Sequence, residues 1–118
     1  VVLLGHGSRV APANAPLVEM AALVSDRLGG CKTVTAYLQL ADPLLGPVIE
    51  QLVAEGAKKI VVMPFFLFPG AHVREDIPEE LERLGSLYPD VEMALAGHLG
   101  VHPLLADIAA QRIDEVNQ

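Results

Sequence analysis

Residues 59–64, "KIVVMP", decide the fold. A strand with one face in water alternates apolar and polar residues. Ile60, Val61, Val62 and Met63 show no alternation, so this is a strand covered on both faces, as in the parallel sheet of an α/β protein. The preceding residues 41–59, "ADPLLGPVIEQLVAEGAKK", read as a helix. Asp42 is placed to cap it and Pro43 to occupy its first position. Leu45, Val48, Ile49, Leu52 and Val53 form its apolar stripe, and Gly56 ends it.

The same unit recurs on either side. Residues 1–4, "VVLL", form a buried strand, followed by a helix over 14–30 with Asn14 as cap, Pro16 in the first turn and Gly29-Gly30 as terminator. Residues 32–40, "KTVTAYLQL", form a second strand. Downstream, a helix over 77–88 is expected to be capped by Asp76 with Pro78 in its first turn. Residues 91–97 form a fourth strand. A last helix starts near Pro103, with Leu105, Ile108, Ala109 and Val116 on its apolar face.

Strand and helix thus alternate four times. Short connections of this kind give right-handed crossovers and a parallel sheet. The expectation is one three-layer α/β/α domain over residues 1–118, with a four-stranded parallel sheet ordered 2-1-3-4. In that order the chain leaves strands 1 and 3 in opposite directions, which makes a crevice at their C-terminal ends, where open α/β sheets bind ligands.

Composition narrows the function. The chain has 118 residues, 52% hydrophobic and 19% charged, with net charge −7. Nucleic acid is a poor partner for such a surface, because phosphate contacts require clustered Lys and Arg. No apolar run approaches the length needed to cross a bilayer. Cys31 is the sole cysteine, so neither an internal disulfide nor a thiolate zinc cluster can form. With no signal-peptide pattern, a reducing, cytoplasmic setting is expected.

Two loops meet at the crevice, "GHGSRV" (5–10) and "FFLFPGAHVRED" (65–76), and each carries a histidine. His6 and His72 are the candidate site. The three phenylalanines, Phe65, Phe66 and Phe68, all lie in the second loop, which suggests an apolar wall for a flat ligand with polar edges. Two imidazoles without a thiolate make an open metal site, suited to a metal that is held and then released. A neutral imidazole also accepts a proton from a weakly acidic N–H. Glu75 and Asp76 are near enough in sequence to orient His72. His98 is a further candidate, and His102 reads as part of a helix start.

Other readings of the opening loop fail on spacing. A dinucleotide fingerprint requires G-x-G-x-x-G, and Val10 occupies the third glycine position. A G-x-S-x-G elbow is absent, because Ser8 directly follows Gly7. The Arg-His-Gly of histidine phosphatases is missing its arginine, since Gly5 stands there.

The elements "LLGHGSR" (3–9), "LQLADPLL" (38–45), "PFFLFPGAHVREDIP" (64–78) and "LGVHPLL" (99–105) together resemble the small CbiX-type sirohydrochlorin chelatases and the related ferrochelatase SirB. The resemblance implies ATP-independent insertion of a divalent metal, Co²⁺ or Fe²⁺, into sirohydrochlorin, with the metal as substrate and no permanently bound cofactor. It assigns His6 and His72 to metal binding and to removal of the pyrrole protons. It places the macrocycle across Gly7, Phe66, Phe68 and Gly70, with Ser8, Arg9 and Arg74 near its carboxylates. Long members of the family contain two such halves, so it further implies a homodimer with a shared cavity. The rival expectation is a carrier or partner subunit that binds metal or tetrapyrrole without turnover.

Overall fold

The computed structural model describes residues 1–117. Its sheet is parallel throughout, built from β1 (Val2–Gly5), β2 (Val34–Tyr37), β3 (Lys59–Pro64) and β4 (Glu92–Leu95) in the order β2-β1-β3-β4. β3 has the bounds read from the sequence. Helices α1 (Ala15–Arg27), α2 (Leu45–Ala54), α3 (Ala71–Leu87) and α4 (Pro103–Val116) follow the strands in turn, and a 3-10 turn at Ala11–Ala13 precedes α1.

The main core lies on one face of the sheet. Val2, Leu4, Ala36, Ile60 and Val62 point there and meet Val48, Ile49 and Leu52 of α2 and Ile77, Leu81 and Leu84 of α3. Each fully buried aliphatic side chain stabilises the fold by roughly 1.5–3 kcal/mol. On the opposite face α1 packs against β1 and β2, burying Ala21 and closing over Leu3.

α4 departs from expectation. Leu105, Ile108, Ala109 and Val116 form its apolar face in the sequence, yet the helix contributes no buried residue, and Val116 is 81% exposed. It leaves the sheet rather than covering it. The molecule is accordingly elongated, 54 × 33 × 28 Å.

Three helix starts also differ from the sequence reading. α2 begins at Leu45, capped by Leu44, and not at Pro43 behind an Asp42 cap. The Pro43 carbonyl accepts the Tyr37 N–H at 2.9 Å and Leu44 bridges to Tyr37 in extended conformation, so the helix starts only after them. α3 begins at Ala71, capped by Gly70, and encloses both Asp76 and Pro78. Proline is tolerated there at the loss of one hydrogen bond, to the Arg74 carbonyl. Asn14 precedes α1 but does not cap it with its side chain, which is engaged elsewhere.

Candidate functional site

β1 ends in Gly5, and His6 projects from its tip into solvent. The loop beyond is fixed from within. Gly7 has φ +96°, and a Cβ there would lie 1.8 Å from the Gln39 carbonyl oxygen. The Gln39 N–H in turn donates to the His6 carbonyl at 3.3 Å. Only glycine lets the two loops approach so closely. Gly7 therefore serves contact between protein segments. Gly5 is less constrained: its Cβ would come 2.7 Å from Leu17 Cδ2, the end of a side chain that can turn away.

Asn14 clamps the same loop at Ser8. The Ser8 N–H donates to Asn14 Oδ1 at 3.0 Å, and Asn14 Nδ2 donates to the Ser8 carbonyl at 2.9 Å. The Ser8 hydroxyl accepts from the Val10 N–H at 3.1 Å. Beneath His6 lies Phe66, 9% exposed, with its ring centroid 5.3 Å from the imidazole in edge-on contact. Phe66 is thus a core residue that props the histidine, leaving little of its ring for a substrate. Phe68, 72% exposed, is the ring free to meet one.

His72 stands in the first turn of α3, where the helix begins earlier than the sequence suggested. Its Nε2 is 3.2 Å from Asp76 Oδ2, one turn along. A carboxylate on that nitrogen favours the proton there and leaves Nδ1 with its lone pair, the usual way a metal-binding imidazole is oriented. His6 and His72 open onto one cleft of about 580 Å³, shared with Gln39, Asp76, Glu79 and Arg83. The Arg83 guanidinium is bound by Glu80 at 2.6 and 3.0 Å, and that hydrogen-bonded carboxylate raises its pKa above the ordinary value.

The other expected site residues point elsewhere. Ser8 and Arg9 line a neighbouring cleft of about 470 Å³ with Tyr37 and Asp42. Arg74 faces a third, of about 290 Å³, shared with His98. Gly70 caps α3 with ordinary φ, and nothing crowds its Cβ position. His102 caps α4, its Nδ1 accepting the Leu104 N–H at 3.1 Å, as its position before Pro103 suggested. A groove of about 620 Å³ between α1 and α2 along β2 is larger, but it contains no histidine.

Gln39, Glu79 and Arg83 were not singled out from the sequence as site residues, whereas Asp76, read there as one of two carboxylates able to orient His72, is the one in contact with it. Their signal was helical period: His72, Asp76, Glu79 and Arg83 share a face only if the helix starts before residue 72. Among the described residues, no three His, Cys, Asp or Glu side chains converge as a closed metal site. The cleft therefore offers two imidazoles and an acidic rim, which can hold a divalent ion loosely.

The CbiX family model matches residues 1–116. The chain belongs to the CbiX family. It is 33% identical over 113 residues to the chloroplastic sirohydrochlorin ferrochelatase of Arabidopsis thaliana, covering 96% of this chain and 50% of that protein. It is 31% identical over 140 residues to the sirohydrochlorin cobaltochelatase of Methanopyrus kandleri, covering 98% of this chain and 94% of that one. The structure of SirB from Bacillus subtilis with Fe³⁺ superposes with TM-score 0.88 at 27% identity, over 99% of this chain and 46% of SirB. This CbiX chain thus spans about half the length of some relatives and nearly the whole of others.

Proposed function

We propose that the chain, as a single chelatase lobe over residues 1–118, inserts a divalent metal, cobalt or iron, into sirohydrochlorin without ATP. Either cobalamin or sirohaem biosynthesis would use this step. The observation that carries the reading is that His6 and His72 line one open cleft, delivered by the loop after β1 and by the first turn of α3, which follows the adjacent strand β3. The relatives named as sirohydrochlorin chelatases support it.

The chemistry follows from the groups present. Asp76, Glu79 and Glu80 give the cleft a negative rim that concentrates a divalent cation. His6 and His72 take the ion as neutral ligands, weakly enough to surrender it. As the ion enters the macrocycle, the two inner N–H protons leave, one to each of the imidazole nitrogens that the departing ion frees on His6 and His72. Phe68 supplies an apolar surface for the ring, and Arg9 and Arg74, in the flanking clefts, are the cations available to its carboxylates. Two copies of the chain, facing each other as a homodimer, would enclose the macrocycle, and the cytoplasm is the compartment proposed. Among the described residues no helix is long and apolar enough to cross a membrane.

The test is an absorbance time course of sirohydrochlorin with the protein and Co²⁺, Fe²⁺ or Ni²⁺ in turn, against metal-free and protein-free controls. Metal-specific acceleration over many turnovers is the expected result. Binding of metal or macrocycle with no acceleration would replace this reading with that of a carrier.

A further inference from the structure

Three of the four histidines are engaged: His6 rests on Phe66, His72 is held by Asp76, and His102 caps α4. His98 is not. It is half-buried in the loop after β4, and among the described residues no hydrogen bond engages its ring. Neither ring nitrogen is sealed from solvent, since no buried side-chain nitrogen lacks a partner there.

The backbone on either side of His98 is fixed. The Ala96 N–H donates to the Val62 carbonyl at 2.9 Å, and the Leu99 N–H donates to the Phe66 carbonyl at 3.0 Å. Gly100 lies against the ring, and a Cβ there would come 3.4 Å from His98 Nε2. Glycine leaves that nitrogen uncovered. An imidazole held from both sides, with open nitrogens, gives up little freedom on meeting a ligand.

His98 and Arg74 line one cleft of about 290 Å³, whose apolar walls include Pro64, Pro69, Ile77 and Leu95. Among the described residues no carboxylate lines it, although the chain has 15 Asp and Glu against 8 Lys and Arg. Arg74 is exposed and belongs to none of the ion pairs among the described residues. The cleft of His6 and His72, by contrast, carries Asp76, Glu79 and Glu80. Helical period puts Arg74 on the flank of α3 away from His72, Asp76 and Glu79. The acidic and the basic cleft are therefore on opposite flanks of one helix.

We propose that His98 and Arg74 form a two-point clamp for one carboxylate arm of the tetrapyrrole, with the alkyl part of the arm against the proline and leucine walls. The guanidinium supplies charge and forked donors, and the imidazole adds an N–H from a second element. A metal ion does not suit this cleft, because the guanidinium repels it and no carboxylate offsets that charge. The walls favour a carboxylate on an alkyl chain over a free inorganic anion, which would leave them wet. The clamp rests on the chelatase reading above and deepens it: the substrate's charge is met away from the acids that gather the metal.

Binding and kinetics on the intact protein test it. His98→Leu should raise the Kd for metal-free sirohydrochlorin, read by absorbance titration, about 5-fold, the scale of one hydrogen bond. KM for sirohydrochlorin should rise by the same factor, and the loss should not fall on KM for the metal. His98→Gln, which keeps an N–H donor, should recover most of the affinity. Arg74→Gln should weaken binding at least as much as His98→Leu. The double variant Arg74→Gln, His98→Leu should lose less than the product of the two single losses, because both groups hold one carboxylate. An unchanged Kd in His98→Leu, with a native chain that turns over, overturns the clamp and leaves the chelatase reading intact. Single losses that simply multiply, or a rise in KM for the metal alone, also overturn the clamp. A native chain that neither binds nor metallates sirohydrochlorin overturns the clamp and the reading together.

Discussion

His72 Nε2 lies 3.2 Å from Asp76 Oδ2, one turn further along α3. The contact engages Nε2, which leaves Nδ1 as the nitrogen to meet a ligand. Asp76→Ala should lower insertion by about 10–100-fold with little change in stability, since both side chains are more than half exposed. Asp76→Asn keeps an acceptor oxygen and should retain more activity. Imidazole ¹⁵N shifts check the cause: the Nε2-protonated form of His72 should predominate in the native protein and not in Asp76→Ala. An unchanged tautomer would remove Asp76 from this role.

His6→Ala and His72→Ala should each abolish multiple turnover while leaving the thermal midpoint nearly unchanged. Both imidazoles sit at element ends and are exposed, so neither contributes much to the core. Circular dichroism melts and the absorbance assay together check this. Normal turnover in either variant would rule out the paired-histidine site.

Acidification should slow insertion, because a protonated imidazole neither ligates a metal nor accepts a pyrrole proton. The sign is therefore a fall in rate as pH is lowered from about 7 to about 5. A flat profile over that interval would mean that other groups do this work.

The acidic rim makes a separate prediction about the metal. Glu79→Gln should raise the KM for metal a few-fold at low ionic strength and leave kcat nearly unchanged. The effect should shrink as salt screens the rim. Steady-state rates at two salt concentrations measure it.

Gly7 and Gly29 both have positive φ, but only Gly7 is crowded. Gly29→Ala should cost about 1–2 kcal/mol, the strain of a left-handed alanine. Gly7→Ala should cost more, because its Cβ would collide with the Gln39 carbonyl and force apart the loops that seat His6. Urea denaturation of both variants gives the comparison.

How much of this was readable from residues alone depends on which force decided each element. The uniform apolar run of β3 and the alternation around it were enough for the sheet order, and the order was enough to bring His6 and His72 to one crevice. Loop directions were not readable. Ser8 and Arg9 turn into a different cleft because Asn14 clamps the loop, a tertiary contact with no local signature. Pro78 concealed the true start of α3, since a proline eight residues into a helix looks like one in a first turn. α4 has a readable apolar stripe, but a stripe does not say whether the helix lies on its own sheet.

The loop after β4 is strapped to the loop that holds Phe66: the Leu99 and Gly100 N–H groups donate to the Phe66 and Leu67 carbonyls, each at 3.0 Å. Phe66 supports His6, and three residues beyond Gly100 the chain enters α4. A pull on the last helix is therefore transmitted through this strap to the floor beneath the histidine. Anything that redirects that helix acts as a lever on the seat of His6.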